Sequence, residues 1–82
     1  METLINRIKE LKGIEFSSKI KLAETLENKI EGVNIKDMEI YYNYITLELE
    51  KDNKINIIIE CCNNNKYKIE RLEVTTVKEI IL

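Results

Sequence analysis

"MEIYYNYITLELEKDNKINIIIECC", from Met38 to Cys62, carries the pattern on which the fold turns. Ile45, Leu47 and Leu49 alternate with Thr46, Glu48 and Glu50; further on, Ile55, Ile57, Ile59 and Cys61 alternate with Asn56, Ile58, Glu60 and Cys62. A period of two sends each set to its own side of a strand, so this half of the chain reads as antiparallel sheet with one apolar face. Lys51-Asp52-Asn53 separates the two strands. A two-residue turn at Asp52-Asn53 sets Leu49 against Asn56. A three-residue loop sets Leu49 against Ile55, Leu47 against Ile57 and Ile45 against Ile59, and puts Glu50 opposite Lys54. Apolar matching favours the three-residue loop, with Asn53 in its left-handed position.

The same arithmetic extends towards the carboxy terminus. A loop of Asn63-Asn64-Asn65 brings Cys61 opposite Tyr67, Ile59 opposite Ile69 and Glu60 opposite Lys68, with Asn65 taking a left-handed conformation that asparagine tolerates. Tyr67 and Ile69 are then in one phase and Leu72 and Val74 in the other. One extra residue near Glu70-Arg71, a β-bulge on an edge strand, restores the alternation. A similar shift separates Ile40, Tyr42 and Tyr44 from Ile45, Leu47 and Leu49. Either this strand is bulged near Asn43, or its first half is apolar on the outer face. The ending "TTVKEIIL" holds a capping-box pattern at Thr76–Glu79, but its β-branched residues favour strand or irregular structure.

Before Val33 the period is helical. Leu4, Ile5, Ile8 and Leu11 form one stripe over a helix from Thr3 to Lys12, which Gly13 ends. Ser17 or Ser18 caps a second helix running to about Glu31, with Ile20, Ala23, Leu26 and Ile30 on its buried stripe, Leu22 at the margin, and Gly32 as its stop. The expected fold is α+β: a helical hairpin packed on one face of a three-stranded antiparallel meander, order 1-2-3. The 82 residues suffice for a single domain, 1–82.

Composition narrows the function. The net charge is -2 and basic residues alternate with acidic ones, which leaves little source for the counterion release that drives nucleic-acid binding. Glu24, Glu27 and Glu31 share a helix face, but Lys21 and Lys29 interrupt it, as on an ordinary solvated surface. No segment has the length and apolarity of a membrane span, and METLINRIKE lacks the pattern of a secretion signal, so a cytoplasmic location is expected.

Catalytic equipment is sparse. The chain has no histidine, and its two glycines both fall at helix ends, so neither an imidazole base nor a glycine-rich phosphate loop is expected. Cys61 and Cys62 are neighbours on a strand, face opposite ways and lack companion ligands; they read as reduced thiols, Cys61 in the core and Cys62 outward, the latter open to oxidation between molecules. No catalytic residue, metal site or cofactor is expected.

What remains is a surface. Opposite the face that bears Ile45, Leu47, Ile57, Ile59 and Ile69 lie Ile40, Tyr42, Tyr44, Thr46, Ile58 and Cys62, an aromatic and aliphatic patch of the kind that proteins use for binding one another. The alternative is that the twisted start of the strand, or the carboxy-terminal tail, buries these rings. The expected function is that of a non-enzymatic module binding another protein stoichiometrically, such as a phage- or mobile-element-encoded inhibitor of a host defence protein, of the anti-CRISPR type. An antitoxin or immunity protein, a structural homodimer and a small-ligand-binding domain are the alternatives.

Overall fold

A computed structural model describes residues 2–50 and 53–76. Helices α1 (Glu2–Lys9) and α2 (Lys19–Lys29) precede strands β1 (Asp37–Ile40), β2 (Tyr44–Glu48), β3 (Asn53–Cys62) and β4 (Lys66–Thr76). The class is α+β, and the sheet is antiparallel with order β1-β2-β3-β4.

Leu4 and Ile8 of α1 are buried, as is Leu11 in the turn that follows, while Ile5, the fourth residue of the expected stripe, is half-buried against the core. The helix is shorter than Thr3–Lys12, because the chain tightens after Lys9. Leu11 N–H donates to Ile8 O at 3.0 Å and Lys12 N–H to Lys9 O at 3.1 Å. Gly13 and Gly32 follow the helices at φ +87° and +83°, a conformation that costs a residue without a Cβ little. Ser18 is the cap of α2, its Oγ accepting the Lys21 N–H at 3.1 Å. Across the pair, Arg7 Nη1 donates to Glu31 O at 2.9 Å, supplying a donor to a carbonyl just beyond α2. Lys29 Nζ lies 2.7 Å from Glu10 Oε2, and this bond holds the Glu10 carboxyl below its usual pKa range.

The buried stripe of α2 needs one correction. Leu22, Ala23, Leu26 and Ile30 are buried, whereas Ile20 is 70% exposed. With about 100° per residue, those four fall within an arc of roughly 100°, and Ile20 lies about 160° from Leu22. Leu22 belongs within the buried arc and Ile20 outside it.

The sheet has four strands, not three. What reads as a phase shift in one strand is a reversal of the chain: Ile40 pairs with Ile45 and Met38 with Leu47. Tyr41 N–H donates to Tyr44 O at 2.8 Å, leaving Tyr42-Asn43 as the tip of a hairpin, and no bulge is needed near Asn43.

A second correction concerns register. Leu47 pairs with Ile55, Ile45 with Ile57 and Glu48 with Lys54, and Leu49 N–H donates to Asn53 O at 2.8 Å. The pairing has slid by two residues from the expected one. Alternation of period two is blind to such a slide, because every apolar side chain keeps its face. The polar side tells the registers apart: Thr46 Oγ1 donates to Asn56 Oδ1 at 2.9 Å across the strands. Asn53 is therefore a strand residue; the non-glycine residues of positive φ among those described are Asn64 (74°) and Asn65 (57°). Glu50, expected opposite Lys54, instead accepts from Asn34 Nδ2 at 2.8 Å. Lys51 and Asp52 lie outside the described residues.

The last hairpin has the expected pairs, Ile59 with Ile69, Glu60 with Lys68 and Cys61 with Tyr67, and Lys68 Nζ sits 3.0 Å from Glu60 Oε1. That carboxylate holds the Lys68 pKa above its ordinary value. The register shifts between Ile58 and Ile59, whose partners are Arg71 and Ile69, so Glu70 is the extra residue. Strand β4 runs on to Thr76; the rest of the expected tail, residues 77–82, falls outside the described residues.

Buried side chains of both helices, Phe16 of the connector, and Ile45, Leu47, Leu49, Ile55, Ile57, Ile59 and Ile69 of the sheet region make one hydrophobic cluster. Phe16 is also bridged to Tyr67, its N–H donating to Tyr67 O at 2.7 Å. Cys61, expected in the core, is exposed. It has the core-side phase of Ile59, but it stands near the end of the β3–β4 hairpin, two residues before the asparagine loop.

Candidate functional site

The side of the sheet opposite the core is built by the alternate residues of each strand. Asp37, Glu39 and Tyr41 contribute from β1 and its turn, Tyr44, Thr46 and Glu48 from β2, Lys54, Asn56 and Ile58 from β3, and Glu73 from β4; together they line a groove of about 360 Å³. Its apolar part is the ring pair with Ile58. Tyr41 and Tyr44 stack with centroids 4.5 Å apart and planes at 15°, and Tyr44 pairs with Ile58 across β2–β3. Tyr41 is 42% exposed. Its phenol donates to the Glu39 carboxylate, which stabilises the protonated phenol and raises its pKa above the ordinary tyrosine value.

The expected face, Ile40, Tyr42, Tyr44, Thr46, Ile58 and Cys62, is split by the hairpin. Tyr44, Thr46 and Ile58 do come together in the groove. Cys62 has the same phase further along β3 and pairs with Lys66. Ile40 pairs with Ile45, which gives it the core-side phase, although it stays 52% exposed beyond the cluster. Tyr42 stands at the turn, 89% exposed, with Lys19 Nζ 4.9 Å from its ring centroid and donating to its carbonyl at 2.9 Å. Tyr41 is the residue that sequence reasoning missed. An unbroken strand over 40–49 gives it core-side parity; Asn43, a turn-forming residue next to the phase change, is the signal in the sequence for the reversal.

Carboxylates outnumber cations around the groove. Asp37, Glu39, Glu48 and Glu73 line it, against Lys54. Glu73 is met by Arg71 Nε at 3.0 Å, and Glu48 more loosely by Lys36 at 3.8 Å. The Asp37 carboxylate also accepts the N–H of Met38 at 2.9 Å, which occupies a donor on this edge strand.

A second, smaller hollow of about 290 Å³ lies between Ile8, Lys9 and Lys12 on one side and Ile69, Arg71 and Leu72 on the other. Both cysteines are free thiols, with Cys61 Sγ 3.7 Å from the Cys62 carbonyl oxygen. Among the described residues no group of three or more His, Cys, Asp or Glu is positioned to hold a metal ion, and no helix is long and apolar enough to cross a membrane.

Comparison with known protein families, curated proteins and solved structures finds no match to this chain.

Proposed function

We propose that the chain is a non-enzymatic module that binds another protein stoichiometrically through the outer face of its sheet, the helices lying over the opposite face. The observation that carries this reading is the stacked Tyr41–Tyr44 pair beside Ile58, an apolar centre within a polar rim. Tyrosine brings large contact area with few rotatable bonds and a polar tip, which suits a surface that is wet alone and dry in a complex. Small size and an acidic balance fit an inhibitor carried by a phage or mobile element and directed at a host defence protein; an antitoxin or immunity protein uses the same physics. In a reducing cytoplasm both thiols remain reduced.

The test begins with capture of a partner from extracts of the native host, followed by light scattering of the purified complex. A complex of fixed stoichiometry that is lost with Ile58→Asp, and kept with Ile20→Asp on α2, supports the reading, provided circular dichroism shows both variants folded. A complex indifferent to Ile58→Asp overturns it. So does a self-associated chain that falls apart on Tyr44→Lys and takes no partner, since the face then joins two copies of itself.

A further inference from the structure

Around the groove, the acidic residues are not equally occupied. Glu73 and Glu48 each have a cation within 4 Å, Arg71 and Lys36 respectively. Among the described residues Asp37 and Glu39 are in no ion pair; their recorded bonds are with the Met38 N–H and the Tyr41 phenol. The unpaired negative charge therefore collects at the β1 end, beside an aromatic stack whose Tyr41 is 42% exposed. Charge and aromatic surface coincide there.

We propose that this end of the groove receives an arginine side chain from an extended segment of the partner protein, its guanidinium against Tyr41 and its N–H groups towards Glu39 and Asp37. This rests on the reading of the outer face as a protein-binding surface. Arginine rather than lysine follows from the pairing of groups: a planar guanidinium stacks on an aromatic ring and forks to a carboxylate at once, whereas an ammonium is a hydrated point charge that any carboxylate serves equally. An extended segment follows from shape. The groove crosses all four strands, from Asp37 on β1 to Glu73 on β4. At about 4.8 Å between strands that is roughly 14 Å, the reach of about four extended residues. Beyond the arginine, Ile58 offers an apolar contact to the next inward side chain of such a segment. The sign of the charge disfavours a phosphate backbone as occupant.

The experiment titrates the isotopically labelled chain with short blocked peptides alternating arginine and alanine, lysine and alanine, or glutamate and alanine, and follows backbone and tyrosine ring signals. The arginine peptide is expected to shift Glu39, Tyr41, Tyr44 and Ile58 and to bind about three- to fivefold more tightly than the lysine peptide; the glutamate peptide is expected to leave them unmoved. Tyr41→Leu should erase the preference for arginine. The double change Asp37→Asn with Glu39→Gln should weaken binding more than Glu24→Gln with Glu27→Gln, an equal change of charge on exposed residues of α2. Equal affinity for the arginine and lysine peptides, shifts scattered over the surface, or equal loss in the two double variants overturns the proposal. If the peptides fail while Ile58→Asp still abolishes the complex with the captured partner, only the arginine inference falls. If Ile58→Asp leaves that complex intact, the reading of the face falls with it.

Discussion

Tyr41 lies over Tyr44 at 4.5 Å between ring centroids, on the side of the β1–β2 hairpin that faces away from the core. Near-parallel rings at this distance are held by dispersion and by the shedding of water from both faces between them. The contact also fastens β1, a four-residue edge strand whose pairing is with β2. Tyr41→Ala is expected to lower stability by about 0.5–1.5 kcal/mol in urea denaturation and to raise hydrogen exchange in β1 before β3. Uniform loss of protection across the sheet would mean that the stack does not act locally.

The phenol of Tyr41 donates to Glu39, and the carboxylate stabilises the protonated ring. A folded-state pKa above the unfolded one gives stability that is complete below the unfolded tyrosine pKa and is lost as pH rises through the folded value. Alkaline titration followed by the ring signals of Tyr41 should therefore show it ionising above ordinary tyrosine, and Glu39→Gln should bring it down. The variant should also lose stability less steeply on the alkaline side than the parent chain. A Tyr41 transition unmoved by Glu39→Gln would remove the hydrogen bond from the account of this site.

Different parts of the chain announce themselves to different degrees, for physical reasons. At the asparagine hairpin, loop chemistry, the apolar pair Ile59–Ile69 and the charge pair Glu60–Lys68 all select one register, and that register is the one found. At β2–β3 apolar matching points to the other register, which makes three core-side pairs against the two found, and a glutamate faces Lys54 in both; only the Thr46–Asn56 bond favours the register found, and it is a weak signal. At β1 the Tyr42-Asn43 tip has no glycine, so in sequence a reversal has the same pattern as a bulge. The groove inherits these outcomes. Tyr44, Thr46 and Ile58 were legible because their strands keep parity under a slide by two, whereas Ile40, Tyr42 and Tyr41 depended on recognising the reversal.

Helix α2 offers a clean contrast between two aliphatic residues. Leu22 has no exposure and belongs to the core cluster, while Ile20, two positions earlier, is 70% exposed. Leu22→Ala removes buried methyl groups and leaves a cavity, an expected loss of about 2–5 kcal/mol. Ile20→Ala should stay within about 0.5 kcal/mol, or gain slightly from the higher helix propensity of alanine. Thermal and urea unfolding of the two variants measure this directly. Comparable losses would mean that Ile20 has an intramolecular partner.

The bulge in β4 makes a prediction about chain length that side-chain substitutions cannot make. Ile59 pairs with Ile69 and Ile58 with Arg71, so Glu70 has no partner of its own. Deleting Glu70 closes the ladder and leaves every other residue on its present face. The expected cost is less than about 1 kcal/mol, with the cross-strand contacts of Ile57–Leu72 and Ile59–Ile69 retained. Deleting Lys68 instead also lets Leu72 keep its pairing, but it turns Ile69 to water and Glu70 towards Ile59, which is buried. An uncompensated carboxylate at that position should cost more than about 3 kcal/mol. Paired deletions, compared by urea denaturation and by cross-strand nuclear Overhauser contacts, decide the matter; if loss of Glu70 were as damaging as loss of Lys68, the extra residue would have to be holding the strand's twist rather than merely absorbing a change of phase.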